Sequence, residues 1–327
     1  MRPVAVVPVA GAGTRLRPHT LTTPKALLSV AGKPILGHIL DQLAAVKPER
    51  VVLVVSPGEM GERLRAFGAA RTDVRVESVV QDEPQGLGHA VAQARDQVGD
   101  APVLIILGDT IVRANLSGLL AGGSFVGVRE VEDPRRFGVA TVKDGRIVAL
   151  VEKPEHPASN LALVGLYYIE RSRRLFSCLA ELERSGKRTR GEIQLTDALA
   201  ALLAQGEELR PFPVEGWYDC GKTEALLETN RALLDAAATT ASRPGVVIVP
   251  PVALDPSADV LHAVIGPHAS IGARARVRRS VVQNSIVNEG ATVEDILLDL
   301  SVVGENALVR GAYQRLNVGD SSEVEVS

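Results

Sequence analysis

Two glycines and three cationic side chains lie close together near the start of the chain, within AGAGTRLRPHTLTTPKALL at residues 10–28. Gly11 and Gly13 follow an apolar segment. A glycine loop in that position can direct backbone N–H groups at an anion, because glycine tolerates positive φ and close approach. The three cations fall within eleven residues and are Arg15, Arg17 and Lys25. Arginine binds phosphate oxygens through paired hydrogen bonds and lysine adds a point charge, so these residue types could hold a triphosphate, and they are equally compatible with a solvated basic loop.

The two most common phosphate-binding motifs do not account for this loop. A Walker loop requires the pattern GxxxxGK[ST], and a dinucleotide-binding fingerprint requires a third glycine where Leu16 stands. Pro18 and Pro24 also interrupt any regular helix between the cations. The loop is therefore predicted to be of a different type.

Two aspartates occupy positions where a carboxylate is expected to project from the edge of a sheet. Asp109 ends the apolar run VLIILGD, and Asp219, in GWYDCG, follows a short apolar strand and precedes a helical pattern. Ligands of parallel sheets bind beyond the carboxyl ends of the strands, so both carboxylates would face a binding crevice. The alternative is that each aspartate only caps a turn or a helix.

The elements that position these residues alternate between strands and helices. Apolar, β-branched runs predict strands at residues 4–9, 51–55, 74–80 and 103–109. Segments with the helical period lie between them, at 34–46 and 86–98. This alternation is typical of an α/β domain with a mostly parallel sheet wrapped by helices. Shorter strands and further helical segments after residue 125 are interpreted as the second half of the same domain, which is predicted to span 1–236.

The periodicity changes after a linker predicted at 237–245, where large apolar side chains are few. From Ile248 to Val309, apolar residues recur five or six positions apart, a spacing that neither helices nor alternating strands produce. A triangular solenoid produces it, because each flat face uses about six residues and points one branched side chain inward. Twelve such positions predict about four coils of a β-helix over 246–320, followed by a tail at 321–327. A loose β-meander is the alternative.

The composition excludes several classes of protein. The formal net charge is −3, which gives no reason to expect nucleic acid or an anionic membrane as a partner. No apolar run approaches the roughly 18 to 20 residues of a membrane span, and the N-terminus lacks the cleavage pattern of a signal peptide. Two cysteines are too few for a disulfide framework, and the six histidines show no ligand-type spacing and are expected to be surface or packing residues. A cytoplasmic protein is expected.

The stretch GAGTRLRPHTLTTPKALLSVAGKPIL resembles the signature G-x-G-T-R-L-x-P-x-T-x-x-x-P-K of the sugar-1-phosphate nucleotidylyltransferase family. Further landmarks follow in that family's order: QDEPQGLGHAV (81–91), LGDT (107–110), FGVA (137–140), EKP (152–154), NLALVGLYYI (160–169), GEIQLTDAL (191–199) and GWYDCGKTEALLETNRALL (216–234). The match covers about residues 3–234, and residues 280–309 are similar to the left-handed β-helix of the long-form glucose-1-phosphate thymidylyltransferases. The resemblance implies a Rossmann-like nucleotidyltransferase domain with a mostly parallel sheet, followed by a C-terminal left-handed β-helix.

The resemblance also implies roles for residues of the matching motifs. Five are predicted to be catalytic: Arg15, Lys25, Asp109, Lys153 and Asp219. The predicted nucleotide contacts are Gly11, Gly13, Thr14, Gln81 and Gly86, and the predicted sugar contacts are Gly138, Glu152, Asn160 and Leu163. Asp109 and Asp219 are the implied ligands of a Mg²⁺ cofactor, since this cation binds one or two carboxylates together with substrate oxygens. Arg15 and Lys25 would grip the triphosphate, while Lys153 would hold the sugar phosphate against the α-phosphate.

Gln81 is the residue expected to select the base. An amide both donates and accepts hydrogen bonds, which suits the O4 and N3–H edge of uracil or thymine, and the pattern Q-x-x-P-x-G-L resembles that of the pyrimidine-using members. Three positions depart from the common family pattern: Thr110, Ala26 and Cys220. The first two lie near the expected substrate contacts, so they affect the identity of the substrate more than the type of reaction. Thr196 and Asp197, in GEIQLTDAL, are left out of the predicted site because they could simply cap a helix.

The predicted function is nucleotidylyl transfer from dTTP or UTP to glucose 1-phosphate, which gives dTDP-glucose or UDP-glucose and pyrophosphate. A mannose-1-phosphate guanylyltransferase is an alternative of the same class. A non-catalytic relative that binds sugar nucleotides and regulates a partner is an alternative of another class, which the retained charged residues disfavour. The solenoid could carry acetyltransferase activity, but it is interpreted instead as an element of homo-oligomer assembly.

Overall fold

The computed structural model describes residues 1–116, 122–237 and 243–311. The chain divides into two compact units: Met1–Leu28 with Lys33–Leu226, and Ser29–Gly32 with Leu227–Ser327. Part of the predicted linker, at 238–242, lies outside the described residues, and so do the last part of the predicted β-helix from 312 onward and the predicted tail.

Short strands rich in valine and isoleucine dominate the first unit. The strands that precede residue 220 are, in chain order, β1 Val4–Pro8, β2 Ser29–Val30, β3 Lys33–Pro34, β4 Arg50–Val55, β5 Val76–Val80, β6 Val103–Ile106, β7 Thr110–Arg113, β8 Phe125–Glu130, β9 Gly138–Lys143, β10 Arg146–Glu152, β11 Leu161–Ile169, β12 Arg210–Pro213 and β13 Gly216–Asp219. The α-helices are α1 Ile35–Val46, α2 Glu59–Ala69, α3 Leu87–Ala92, α4 Arg95–Val98, α5 Ser172–Ser185, α6 Leu195–Ala204 and α7 Thr223–Asp235. Within the described ranges, none of these helices is long and apolar enough to cross a bilayer.

A nine-stranded sheet forms the centre of the first unit. Its order is β10-β9-β11-β6-β1-β4-β5, with β8 paired to β11 and β12 paired to β8. β1 runs parallel to β4 and β6, and β4 runs parallel to β5, which confirms the α/β arrangement predicted from the alternation of strands and helices. β11 is antiparallel to β6, β8 and β9, so the second half of the domain continues the same sheet with antiparallel strands.

The central strands of this sheet are buried on both faces. Successive residues of β1, β4 and β6 are almost all inaccessible, as expected for parallel strands that are covered on either side. α1 buries the apolar stripe predicted for it: Ile35, Ile39, Leu40 and Leu43. The helix predicted over 86–98 is two helices, α3 and α4, because the backbone hydrogen bond of Ala94 shifts to the carbonyl three residues earlier.

The second unit contains the predicted solenoid. Its strands are β14 Val246–Ile248, β15 Val252–Leu254, β16 Asp259–Leu261, β17 Ala263–Ile265, β18 Ala269–Ile271, β19 Arg276–Arg278, β20 Val281–Val282, β21 Ile286–Val287, β22 Thr292–Glu294, β23 Leu297–Leu298, β24 Val302–Val303 and β25 Leu308–Arg310. They form three parallel four-stranded sheets, β14-β17-β20-β23, β15-β18-β21-β24 and β16-β19-β22-β25. Successive strands therefore occupy three faces in turn, which confirms four coils of a triangular β-helix. The inward positions spaced five or six apart include the fully buried Ile265, Ile271, Val277, Val282, Val287 and Val293.

The division between the units falls inside α7, at Leu226, whereas the first domain is predicted from the sequence to end at residue 236. Asn230, in the second half of α7, is buried; its Nδ2 donates to the carbonyl of His268 at 3.0 Å. Its Oδ1 accepts from Ser270 Oγ at 2.6 Å and from Ala31 N at 2.8 Å. A buried amide needs such partners, and all three belong to the second unit, so the second half of the helix belongs with it.

Candidate active site

The glycine loop after β1 has the local geometry that an anion site requires. Gly13 adopts a positive φ of 59°, and its carbonyl accepts hydrogen bonds from Leu16 N at 2.9 Å and Thr20 Oγ1 at 2.8 Å. A Cβ at Gly13 would lie 3.0 Å from side-chain atoms of both Thr20 and Lys25, so glycine is needed for space as well as for conformation. Leu16, which stands where a dinucleotide fingerprint has glycine, is fully buried and anchors the loop.

A cavity of about 470 Å³ opens beside this loop, next to the last residues of β1 and those that follow β6. This volume suits a small organic ligand. The predicted nucleotide contacts all line it: Gly11, Gly13, Thr14, Gln81 and Gly86. Three predicted catalytic residues line it as well: Arg15, Lys25 and Asp109. The structure thus brings eight of the residues selected from the sequence to one cavity.

Lys25 and Asp109 form an ion pair in the wall of the cavity. Lys25 Nζ lies 2.7 Å from Asp109 Oδ2, although 84 residues separate the two in sequence. The lysine side chain is 11% exposed, whereas the aspartate side chain is 40% exposed. Thr110 Oγ1 donates to the other carboxylate oxygen at 3.2 Å, so the residue that departs from the family pattern supports the carboxylate directly. The buried stem of Lys25 holds its charge at a fixed place, while the carboxylate faces solvent.

Asp219 lies on the strand next to Asp109. β13 is antiparallel to β7 with Asp219 opposite Thr110, and Cys220 N donates to the carbonyl of Asp109 at 3.0 Å. The two aspartates therefore reach the same edge from neighbouring chain segments, as the sequence predicts for a pair of metal ligands. Asp219 is half-buried, and Gly221, two residues further on, lines the cavity.

The surroundings of Asp219 include the charge of Asp109. Burial raises the pKa of Asp219 above its ordinary value, and the negative charge of Asp109 raises it further. The positive charges of Lys25, Arg15 and Arg136 offset part of this rise in pKa. A Cβ at Gly221 would lie 2.9 Å from Asp219 Oδ1 and 3.2 Å from the Arg15 guanidinium, so the missing side chain leaves space where these two groups meet.

The donor set at this edge fits a hard divalent cation that also binds substrate. Asp109 and Asp219 supply carboxylate oxygens, which Mg²⁺ prefers. In the part of the chain that the structure describes, no group of three or more histidine, cysteine, aspartate or glutamate side chains could hold a metal ion. A cation bound to these two carboxylates would therefore complete its coordination with water and substrate oxygens, as Mg²⁺ commonly does.

A second group of predicted residues converges around Glu152 at the end of β10. The side chain of Glu152 is 8% exposed and accepts a hydrogen bond from Thr196 Oγ1 to Oε2 at 2.6 Å. A Cβ at Gly138 would lie 2.7 Å from Leu163 Cδ1 and 3.1 Å from Glu152 Oε2, so these three predicted sugar contacts are direct neighbours. Asn160 is placed elsewhere: it is exposed, and its amide donates to Glu130 Oε1 at 2.7 Å.

Lys153 leaves the end of β10 with an unusual backbone conformation. Its φ is 43°, in the left-handed region that residues other than glycine seldom adopt. Two hydrogen bonds hold it there: Lys153 N donates to the Phe137 carbonyl at 3.0 Å, and an Arg190 guanidinium nitrogen donates to the Lys153 carbonyl at 3.1 Å. The ammonium group lies 3.2 Å from Glu152 Oε1, and the lysine side chain is 38% exposed. Strain of this kind commonly marks functional positions, and here it fixes the direction of a charged side chain.

One segment, residues 188–196, contacts both the region of the predicted nucleotide contacts and the region of the predicted sugar contacts. Ile193 N donates to the Gln85 carbonyl at 2.8 Å, and the Ile193 carbonyl accepts from Gly88 N at 2.8 Å, which fastens the segment to the cavity wall. Three residues later, Thr196 holds Glu152. The segment therefore joins the predicted nucleotide contacts to the predicted sugar contacts.

The family can now be established by comparison with known proteins. A family profile described as "Nucleotidyl transferase" matches residues 4–236. The chain belongs to the nucleotidyl transferase family. It is 31% identical to the glucose-1-phosphate thymidylyltransferase of Streptomyces antibioticus, over 98% of this chain and 99% of that protein. It is 38% identical to the low-salt glycan biosynthesis nucleotidyltransferase Agl11 of Haloferax volcanii, over 69% of this chain and 64% of that protein.

A solved structure agrees with these sequence relatives. The chain superimposes on a UDP-glucose pyrophosphorylase complexed with UDP-glucose with a TM-score of 0.61 and 26% identity, over 72% of this chain and 100% of that one. These findings confirm the family resemblance and the predicted enzyme class, a sugar-1-phosphate nucleotidyltransferase.

Two residues near the site of this nucleotidyl transferase are not among those predicted from the sequence. Thr196, which the sequence indicates as a possible helix cap, donates its hydroxyl to Glu152. Glu192, in the same motif, lines the cavity. The presence of GEIQLTDAL among the family landmarks was the available signal, but the residue types alone do not distinguish a hydroxyl that caps α6 from one that reaches β10.

Proposed function

We propose that this nucleotidyl transferase transfers a nucleotidyl group from dTTP or UTP to glucose 1-phosphate in the presence of Mg²⁺. The products are dTDP-glucose or UDP-glucose and pyrophosphate. One observation carries this proposal: Arg15, Lys25 and Asp109 line one cavity, and the charges of all three act on Asp219. The relatives named as thymidylyltransferase and UDP-glucose pyrophosphorylase support the choice of substrates.

The glycine loop and the two cations would bind the triphosphate. Residues 11–14 of the loop line the cavity, where their backbone N–H groups can bind phosphate, and Arg15 offers a planar pair of donors that matches phosphate oxygens. Lys25 contributes a positive charge that the Asp109 carboxylate holds in place. These groups would stabilise the negative charge that develops on the departing pyrophosphate.

Glu152 and Lys153 would bind the second substrate. The buried carboxylate of Glu152 can accept hydrogen bonds from sugar hydroxyls, and Lys153 can pair with the sugar phosphate. An oxygen of that phosphate attacks the α-phosphorus of the nucleotide, so a new P–O bond forms while the bond to the β-phosphate oxygen breaks and pyrophosphate leaves. Both reactants are anions, and the protein therefore contributes alignment and positive charge more than proton transfer.

A divalent cation held by Asp109 and Asp219 would neutralise charge on the phosphates. This cation is part of the proposal, and its support is the donor set: two carboxylates that lie close together, of which Asp219 has its pKa raised by burial and by the charge of Asp109. Lys25 already pairs with Asp109 at 2.7 Å, and in this scheme the divalent cation adds positive charge between the two carboxylates and the phosphates.

The decisive experiment is a pyrophosphate-release screen that crosses dTTP, UTP, GTP and ATP with several hexose 1-phosphates. We expect release with dTTP or UTP and glucose 1-phosphate. Release only with GTP and mannose 1-phosphate would support the guanylyltransferase instead. No release with any pair, combined with binding of a sugar nucleotide, would support the regulatory relative.

Matched variants locate the activity at the proposed site. Asp109→Asn and Lys153→Ala are expected to fold normally and to lose most turnover. Asp96→Asn and Lys143→Ala change the same residue types at exposed positions and serve as controls. Near-native pyrophosphate release by either site variant would contradict the assignment.

A further inference from the structure

His89 contacts Gln81 behind the wall of the cavity. His89 lies on α3 and is 8% exposed; its Nδ1 is 2.9 Å from Gln81 Nε2. Gln81 directly follows β5, is 6% exposed and lines the cavity. Its backbone N donates to the Val55 carbonyl at 2.9 Å, which fixes the start of the side chain. The histidine expected from its sequence context to be a surface or packing residue is therefore hydrogen-bonded to the residue expected to select the base.

The contacts of Gln81 assign the two ends of its amide. Nε2 lies 2.9 Å from His89 Nδ1 and 3.3 Å from the Gly86 carbonyl oxygen. An amide NH₂ group has two hydrogens, and these two acceptors use both of them. The group that Gln81 retains for a ligand is its carbonyl oxygen, which only accepts. This differs from the expectation that the amide both donates and accepts toward the base.

The same assignment fixes the proton on His89. A neutral imidazole carries one N–H and one acceptor nitrogen, so Nδ1 can accept from Gln81 only when the proton is on Nε2. Nε2 lies 4.0 Å from a carboxylate oxygen of Glu183 and 3.1 Å from Gln93 Nε2. A proton on His89 Nε2 therefore requires the Gln93 amide to turn its oxygen toward the ring, because two donors cannot bind each other. The negative charge of Glu183 favours a proton on the nitrogen that faces it.

We propose that His89 is a positioning residue that orients the Gln81 amide and thereby makes the cavity selective for a base with a ring N–H. The oriented carbonyl oxygen accepts from N3–H of uracil or thymine. It repels cytosine, whose N3 is itself an acceptor. This inference rests on the proposed function in one respect, that the cavity holds the base of a pyrimidine nucleotide.

Removal of the acceptor at His89 Nδ1 allows the Gln81 amide to rotate so that its two ends exchange places. The two ends of an amide have nearly the same shape, so without His89 only the 3.3 Å contact with the Gly86 carbonyl favours the observed orientation, and the NH₂ end can face the cavity more often. The preference for UTP over CTP then falls, and the expected reduction is about tenfold, the ratio that corresponds to one ordinary hydrogen bond. A residue with a merely structural role would weaken the binding of both nucleotides equally.

The test measures the dissociation constants of UTP, dTTP and CTP by titration calorimetry for the full chain and for two variants. His89→Leu removes the acceptor, whereas His89→Asn places an amide oxygen near the position of Nδ1. We expect the ratio of CTP to UTP dissociation constants to fall about tenfold in the leucine variant and to recover in the asparagine variant. In a Gln81→Leu background, His89→Leu should leave the ratio unchanged. An unchanged ratio in the single leucine variant would overturn the proposal.

Two further measurements separate the possible failures. The ¹⁵N chemical shifts of the imidazole in the unsubstituted protein report the ring proton directly, so a proton on Nδ1 would overturn the proposal even if the leucine variant does not fold. Pyrophosphate release by the unsubstituted protein tests the proposed function separately. Selective binding of UTP or dTTP without pyrophosphate release would contradict the proposed function and leave the role of His89 intact. Pyrophosphate release together with an unchanged ratio of CTP to UTP dissociation constants in His89→Leu would support the function and overturn the role of His89.

Discussion

The substitution Thr196→Val tests whether the hydroxyl on α6 prepares Glu152 for the sugar phosphate. Valine keeps the shape of threonine and removes the donor that lies 2.6 Å from Glu152 Oε2. A hydrogen bond to a charged group contributes about 1.5–3 kcal/mol, and both side chains are buried, so water does not replace it. If this energy holds Glu152 in its productive position, kcat/KM for glucose 1-phosphate falls by about 10- to 150-fold. The KM of the nucleotide should change little.

Steady-state kinetics with each substrate varied in turn measures this effect. Thr196→Ser retains the hydroxyl and should recover most of the activity. Thr141→Val makes the same change on β9, at a half-buried position, and serves as the control for the loss of a hydroxyl near the site. Chemical denaturation should show that Thr196→Val lowers the free energy of unfolding by about 1–3 kcal/mol, since Glu152 loses a buried partner. An equal rise in the KM of both substrates, or no recovery in the serine variant, would refute the reasoning.

Four other outcomes are expected. Gly13→Ala should lower the free energy of unfolding by about 1–2 kcal/mol, because L-residues are disfavoured at its φ of 59°. Gly11→Ala should change the free energy of unfolding less, since no atom lies near the position of its Cβ, and urea denaturation compares the two variants. Leu16→Ala should cost about 2–5 kcal/mol in the same measurement, as the loss of a fully buried leucine does. Removal of divalent cations with a chelator should abolish pyrophosphate release without unfolding the chain, and Mg²⁺ should restore it; activity that persists in excess chelator would contradict the proposed cofactor. The homo-oligomer predicted from the solenoid is tested by the mass in solution, and a monomer would contradict it.

Much of the fold follows from periodicity that is local in the sequence. The β-branched runs and the helical segments between them predict the parallel strands β1, β4, β5 and β6. For β1, β4 and β6 the reason is that burial on both faces selects such residues. The apolar spacing from Ile248 onward predicts four coils for a similar reason, since each coil repeats the same inward positions. The place of Asp109 follows from a general property of parallel sheets, whose ligands lie beyond the carboxyl ends of the strands.

The rest depends on contacts between segments that are far apart in sequence. The break between α3 and α4 falls at Ala94, and alanine, unlike proline or glycine, does not indicate the end of a helix. The division inside α7 depends on Asn230 meeting the second coil of the β-helix, which no local pattern shows. Thr196 was missed because a hydroxyl near a helix start has an adequate local explanation. His89 was missed because a lone histidine carries no spacing signal, and only the fold brings Gln81 to it.

The segment at residues 188–196 joins the predicted nucleotide contacts to the predicted sugar contacts. Its backbone is bonded to Gln85 and Gly88 on the nucleotide side, and its Thr196 hydroxyl is bonded to Glu152 on the sugar side. A Cβ at Gly88 would lie 2.9 Å from the Ile193 carbonyl oxygen, and one at Gly86 would lie 2.7 Å from the same atom, so both glycines are needed for this backbone contact, and Gly86 lines the cavity as well. Transfer requires the attacking oxygen and the α-phosphorus to be held at a fixed separation, and an error of about 1 Å is costly. A single segment bonded to both groups supplies that fixed separation, which two independent loops would not.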